Sequence, residues 1–269
     1  MRIENCKSQI VLIIVAVAAA LAPGTLSEAS GAAEQPFRYE DARLGELKDK
    51  SDKFKFVRIK ISPMYPGACL GDSPCEPWSH DYPEAGIHFS KILSELSKLQ
   101  VVLDEDEYIF SFADPNLMKY PFAYMCEVGV MQLNDAEIKG MREYLLRGGF
   151  LLVDDFRDTR NFRQMPTLQY YLKQALPEYE MKPLDLSHPI FNCFFSIKTL
   201  DVRSPYDRGR PEFLGVSDKN GRLMMVINFN NDVSDYWQWS GDPFQPLPAE
   251  DTQGAYKFGV NYAFYALTH

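Results

Sequence analysis

The stretch NDAEIKGMREYLLRGGFLLVDD, residues 134–155, decides the fold class. Asn134 with Glu137 three positions later reads as a capping box that starts a helix, Asn standing where Ser or Thr is usual. The helix runs to Arg147 and stops at Gly148-Gly149, where the missing Cβ admits the left-handed backbone of a helix terminus. Residues 150–153, Phe-Leu-Leu-Val, form a continuous apolar run, as expected of a strand covered on both faces. Asp154-Asp155 closes it. A capped helix, two glycines and a buried strand with an acidic end are the building unit of an open α/β sheet.

The pattern extends both ways. Residues 54–61, FKFVRIKI, alternate and read as a strand with Phe54 and Phe56 on its apolar face. A loop over 62–82 carries Pro63, Pro66, Gly67, Gly71, Pro74 and Pro77, and loops of that length are usually functional or disordered. Residues 84–99 read as a helix with Ile87, Ile92, Leu93 and Leu96 on one face. Strands follow at 100–103 and 121–125. Downstream, a helix is expected over 167–176, ending before Pro177. Strands at 213–217 and 223–228 are joined by Asp218-Lys-Asn-Gly221, a hairpin signal that adds an antiparallel element. Residues 249–267 form a closing helix with an aromatic surface of Tyr256, Phe258, Tyr262, Phe264 and Tyr265. Alternating strands and helices in the first half argue for a parallel core, and a single domain over 53–269 suffices.

The N-terminus has the anatomy of a secretory signal peptide over residues 1–33. Arg2 and Lys7 precede an uncharged apolar run, 10–22, shorter than the roughly 20 residues a membrane span needs, and small residues follow. Residues 34–52 are charged and without period, a linker. The expected location is exported, periplasmic or extracellular, with no membrane span after signal cleavage. Of the 269 residues, 46% are hydrophobic and 13% aromatic, enough for a sizeable core. The net charge of -9 argues against nucleic acid and against broad adhesion to anionic lipid.

Export changes how cysteines are read. Cys69 and Cys75 share one Pro/Gly-rich loop, and a local disulfide, free thiols, or a metal site including His80 are all open. Cys126 and Cys193 sit among apolar neighbours and read as buried.

In open α/β sheets ligands bind outside the carboxyl ends of the strands. Asp154 and Asp155 end one strand, Asn228, Asn230 and Asp232 end or follow another, and Cys126-Glu127 ends a third. The loop bearing His80 and Asp81 leaves the first strand at the same edge. Carboxylates in a crevice hold a hard cation or act as acid and base. The plainer reading is that one Asp caps a helix and the other pairs with Arg157 or Arg160. Adjacent residues point apart, so at most one of the two faces the crevice. Asp155 and His188 are the catalytic candidates, although the plainer reading of His188 is a structural loop residue. The ligand-binding candidates are Asp154, Asp155, Asn228, Asp232 and Trp237. In Asp235-Tyr-Trp-Gln-Trp239 an exposed Trp beside Asp suits a sugar ring, with core packing as the alternative. The i, i+2 spacing would put both tryptophans on one face if the segment is extended. No metal-ligand set is assigned and no cofactor is expected, a divalent cation being the one left open. The signatures of zinc hydrolases, esterases and dinucleotide enzymes do not occur.

The segment around Gly148-Gly-Phe-Leu-Leu-Val-Asp-Asp-Phe156, with Tyr120-Pro-Phe-Ala-Tyr124, His188-Pro-Ile-Phe191, Asn231-Asp-Val-Ser-Asp-Tyr-Trp237 and Gly259-Val-Asn-Tyr-Ala-Phe-Tyr265, resembles the bacterial domain of unknown function 4159 family. The resemblance covers nearly everything from Phe54 onward. It implies a flavodoxin-like doubly wound sheet of the class I glutamine amidotransferase-like group. Amidotransferases carry a Cys on a glycine-flanked elbow; Asp154-Asp155 stands at the matching strand end, and Cys126 lacks the glycine elbow. Amidotransferase activity is therefore not expected.

Two functions remain, the first favoured over an enzyme because the Cys elbow of the fold's best-known chemistry is missing. One is an exported ligand- or partner-binding module of the cell envelope, its partner an envelope protein or glycan. The other is a hydrolase-type enzyme acting on a carbohydrate or envelope component through an Asp/His site, with a cation assisting.

Overall fold

A computed structural model of the protein describes residues 53–65, 76–103, 108–205, 209–245 and 247–269. The signal peptide, the linker, Cys69 and Cys75 lie outside the described residues. The chain orders as β1 (Val57–Ile59), β2 (Ser62–Pro63), α1 (Glu84–Leu96), β3 (Ile109–Phe110), β4 (Phe122–Met125), β5 (Met131–Gln132), α2 (Asp135–Leu146), β6 (Phe150–Phe156), α3 (Met165–Ala175), β7 (Met181–Pro183), β8 (Glu212–Ser217), β9 (Leu223–Phe229), α4 (Val233–Gln238) and α5 (Ala249–Thr268).

Seven strands form one sheet in the order β3-β1-β4-β6-β9-β8-β7. The first five are parallel, and β9-β8 and β8-β7 are antiparallel. Counted along the chain, the parallel strands run 2-1-3-4-5, the flavodoxin-like order, whose switch point lies between β1 and β4. The two central strands β6 and β9 are buried along their whole length, which is why their sequences are continuous apolar runs and not alternating ones.

The pleat sorts neighbours onto two cores. Val57, Ile59, Leu151 and Val153 pack on one face with Met141, Leu145, Leu168 and Leu172 from α2 and α3. Phe56, Phe122, Tyr124 and Leu152 pack on the other with Phe89, Trp237 and Tyr262 from α1, α4 and α5.

Local signals place most elements. Asn134 accepts from the N–H groups of Ala136 and Glu137, and the Glu137 carboxylate accepts from Asn134 N–H, a complete capping box. Gly148 takes φ 112° after α2. Asp218 accepts from Asn220 and Arg222 N–H at the hairpin between β8 and β9.

Other expectations need correction. Both faces of the first strand are covered: Lys55 sits over the Tyr108 ring and Arg58 over the Tyr124 ring, each buried. Residues 100–103 contribute only a bridge from Val101 to Phe54. The buried face of α1 is Ala85, Phe89 and Leu93, whereas Ile87 and Leu96 are exposed. The aromatic side chains of α5 are buried and make core, not surface.

Candidate functional site

The carboxyl ends of β4, β6 and β9 meet at one edge of the sheet, and three chain segments bring acidic side chains there. β6 pairs irregularly with β9 between Val153 and Phe156, and Asp155 has φ 49° within that irregularity. The distortion sends the two adjacent carboxylates to different partners.

Asp154 is consumed structurally. It accepts from Asn228 Nδ2 at 3.0 Å and from the N–H groups of Val233 and Ser234 at 2.9 and 3.1 Å, holding the start of α4. Asn228 is fully buried beneath and accepts from the Tyr262 hydroxyl at 3.0 Å. Both residues therefore shape the edge and present no free face to a ligand.

Asp155 turns the other way. Its Oδ2 lies 2.5 Å from His80 Nδ1, and its Oδ1 is 3.8 Å from Arg157 Nη1. Asp232 caps α4, accepting from Asp235 N–H at 2.7 Å. Asp81 Oδ1 is buried without a hydrogen-bond partner, and a carboxylate oxygen of this residue faces His80 Nδ1 at 3.6 Å. One ligand atom each from His80, Asp81, Asp155 and Asp232 lies within 4.8 Å of the others. The three aspartates are buried, whereas the His80 side chain is 40% exposed, so the cluster reaches solvent past the imidazole.

Arg58 sets the height of His80 above the sheet. Buried in β1, it donates through Nη1 to the carbonyls of Trp78 at 3.2 Å and His80 at 2.8 Å. Ser234 ties the other side. It accepts from the Tyr124 hydroxyl at 2.7 Å and stands 2.6 Å from Asp81 Oδ2 and 2.9 Å from Asp232 Oδ1. A hydroxyl has one proton, so it satisfies only one of those two carboxylates at a time.

The electrostatics follow from crowding. Burial opposes the charge on His80, but the hydrogen bond and charge of Asp155, with Asp81 and Asp232, outweigh it and raise its pKa to about 11. Burial first, then the charge of Asp232, raise Asp81 to about 6 and Asp154 to about 8 and lift Asp155 well above the usual range. Asp235 reaches about 8 for the same two reasons, and burial raises Glu127 to about 7. His80 and Asp155 are both raised, unlike an isolated ion pair; the direction that holds is that the pair keeps a proton at neutral pH.

Backbone conformation points to the same place. Among the described residues, the non-glycine positions with positive φ are Asp81, Glu127, Asp155 and Asn230, at 58°, 50°, 49° and 55°. Two belong to the cluster, Glu127 N–H donates to the Asp155 carbonyl, and Asn230 N–H donates to that of Phe156. Such conformations cost of order 1 kcal/mol or more each and gather where a site must be held in shape.

Two sequence candidates lie elsewhere. Trp237 is fully buried, its ring 4.6 Å from Phe89 and 6.3 Å from Phe56. Residues 233–238 are helical, not extended, so Trp237 turns into the core and cannot stack on a sugar. Its neighbour Trp239 is half-buried and donates from Nε1 to Asp235 Oδ1 at 3.2 Å. His188 packs near Tyr265, whose hydroxyl accepts from Leu223 N–H at the start of β9, so it sits toward the opposite edge of the sheet. Its Nδ1 accepts from Ile190 N–H and caps a short turn, and burial lowers its pKa.

Cys126 and Cys193 are both buried, as their apolar neighbours in sequence suggest. Burial pushes the Cys126 thiol well up, which keeps it protonated.

His80 and Asp81 were visible in sequence only as polar residues of a loop that leaves the first strand at the right edge; nothing local marks them as partners of Asp155 and Asp232. A His with three carboxylates is a donor set suited to divalent metals of the zinc, manganese or iron type. Comparison with curated proteins returns no match. Residues 70–267, which include every member of the cluster, match the profile described as domain of unknown function (DUF4159), and the chain belongs to that family.

Proposed function

We propose that the protein is an exported, cation-assisted hydrolase acting on a carbohydrate or another envelope component, centred on His80, Asp81, Asp155 and Asp232. The observation that carries the reading is the convergence of four donor atoms within 4.8 Å at the carboxyl edge of the sheet. Three buried carboxylates facing one imidazolium hold a net negative charge in a poorly solvated place. Protons or a divalent cation must neutralise it. A bound cation would polarise a substrate oxygen and acidify a water. Asp155 is held by His80 and Arg157, and Asp232 by the α4 terminus, so both carboxylates are positioned before a cation arrives, and binding it displaces the proton that Asp155 and His80 keep. Glu127, whose N–H donates to the Asp155 carbonyl and whose Oε2 is buried without a hydrogen-bond partner, is the group we assign to proton transfer.

Two further parts belong to the proposal. We propose a fold of the class I glutamine amidotransferase-like group, a reading that the 2-1-3-4-5 strand order supports. Its Cys chemistry is not carried over, because Cys126 is buried and Glu127, not glycine, takes the left-handed position after it. Export rests on the N-terminal pattern of Arg2, Lys7 and the apolar run 10–22. Among the described residues no helix is long and apolar enough to cross a membrane.

The test is thermal unfolding of the mature chain in chelator and with Mn2+, Zn2+ or Mg2+, paired with turnover on glycan and ester panels. A cation at a hundred times its Kd stabilises by about 2.7 kcal/mol. Turnover should require the cation and disappear in Asp155→Asn with the fold intact. Cation-indifferent stability together with no turnover refutes the reading, and saturable binding without turnover returns the domain to a binding module.

A further inference from the structure

A second concavity lies on the other side of the turn that carries Asp232. It is a groove of about 450 Å³ between residues 196–203 and the first turns of α5, floored by Val233, Tyr236 and Phe258. Asn231, one residue before Asp232, lines it. The residue is 3% exposed, and its Oδ1 is buried with no hydrogen-bond partner. A buried carbonyl without a donor costs on the order of 1–3 kcal/mol, so it is a place where a ligand N–H or O–H is worth most.

Gly254 supplies an independent observation. It sits inside α5, where glycine costs about 1 kcal/mol relative to alanine, and it lines the groove. A Cβ built there meets nothing within 4 Å. Gly259 in the same helix is different, because a Cβ there would come 2.4 Å from Trp237 Cζ2. Packing explains Gly259 and leaves Gly254 unexplained, except that any side chain at 254 would project into the groove.

The charges at the mouth cancel. Lys198, Arg203 and Lys257 face Asp201, Glu250 and Asp251. Arg203 lies 3.8 Å from Asp251 and links the two walls. A strongly charged ligand gains nothing from such a lining, whereas a neutral ligand rich in hydroxyl and amide groups finds donors, acceptors and an apolar floor together.

We propose that this groove is a saccharide-binding subsite for a neutral, amide-bearing glycan segment, with Asn231 Oδ1 accepting from the ligand. The choice of a glycan rests on the function proposed above; the existence of the site does not. Asn231 lines the groove, and the next residue, Asp232, belongs to the acidic cluster, so a single turn of chain carries a member of each.

The experiment is calorimetric titration of the mature chain in chelator with a soluble N-acetylglucosamine tetramer. Wild type should bind saturably by millimolar concentration. Gly254→Trp should bind at least tenfold more weakly with its Tm unchanged or higher, since no neighbour is displaced. Asn231→Leu should bind roughly fivefold more weakly, the loss of one hydrogen bond. Asp155→Asn should bind like wild type, which separates this site from the hydrolase centre. Wild-type binding retained in Gly254→Trp, or no saturable binding to the wild type, overturns the proposal; turnover retained in Asp155→Asn overturns the hydrolase reading alone.

Discussion

Replacing Asp232 by Asn should stabilise the cation-free protein at alkaline pH. Asn is as good an N-cap as Asp, so the bond from Asp235 N–H and the start of α4 survive. What disappears is one charge facing Asp81, Asp155 and His80 within 4.8 Å. At that separation, with an effective dielectric of about 20, a pair of unit charges interacts by roughly 3.5 kcal/mol. Within the four-residue cluster, two repulsions against one attraction leave about one such interaction unfavourable, and shared protons reduce it to about 2 kcal/mol; Asp154 and Asp235, which also feel Asp232, add to it in the same direction. For a domain of this size that is a rise in Tm of roughly 4–8 °C.

The pH dependence has a definite sign. Asp81, Asp154 and Asp155 have pKa values raised in the folded state, so their stabilising contribution is complete below about pH 4 and is lost as pH rises through about 6 to 8. Wild type in chelator should therefore lose stability between about pH 4 and 8, and the gap between it and Asp232→Asn should widen over that window. The assay is urea unfolding at several pH values, with and without Mn2+; the cation should restore wild type and leave the variant unaffected. An Asp232→Asn protein that is equally or less stable than wild type at about pH 8 in chelator would refute the crowding argument.

Gly259→Ala should destabilise by about 1–3 kcal/mol, because the new methyl meets Trp237 and Phe89 in a filled core; equilibrium unfolding measures it, and a neutral result denies the close approach. His188→Ala should cost about 1 kcal/mol through its lost cap and leave cation-dependent turnover unchanged. A large loss of turnover there, with stability retained, would restore His188 to the catalytic candidates.

What was legible in the sequence was local. Asn134 and Glu137 mark a helix start three residues apart, Asp218 to Gly221 mark a turn, and the run from Phe150 to Val153 needs no partner to be recognised as a buried strand. The two-residue strand Ile109–Phe110 and the Pro-ended strand Met181–Pro183 carry too little pattern to read. α4 is only six residues, below what propensity supports; it forms because Asp154 and Asp232 bond its first N–H groups. That same dependence hid the fate of Trp237, which changes face when its segment becomes helical. The acidic edge was legible for Asp155 and Asp232, because both follow strands. Their meeting with His80 and Asp81 was not, since it depends on Arg58 reaching from β1 to two loop carbonyls.

The short helix α4 spans about 9 Å from end to end. Its leading residue shares a carboxylate acceptor with the sheet, while its penultimate residue, Trp237, is wedged among Phe56, Phe89 and Tyr256, with His88 Nδ1 at 2.8 Å from its carbonyl. Any repacking of that aromatic nest must tilt the rod, and the tilt arrives at Asp232 undamped. Hydrophobic substitutions far from the acidic edge would then retune it, and tolerance to mutation along this stretch would be limited from both ends at once.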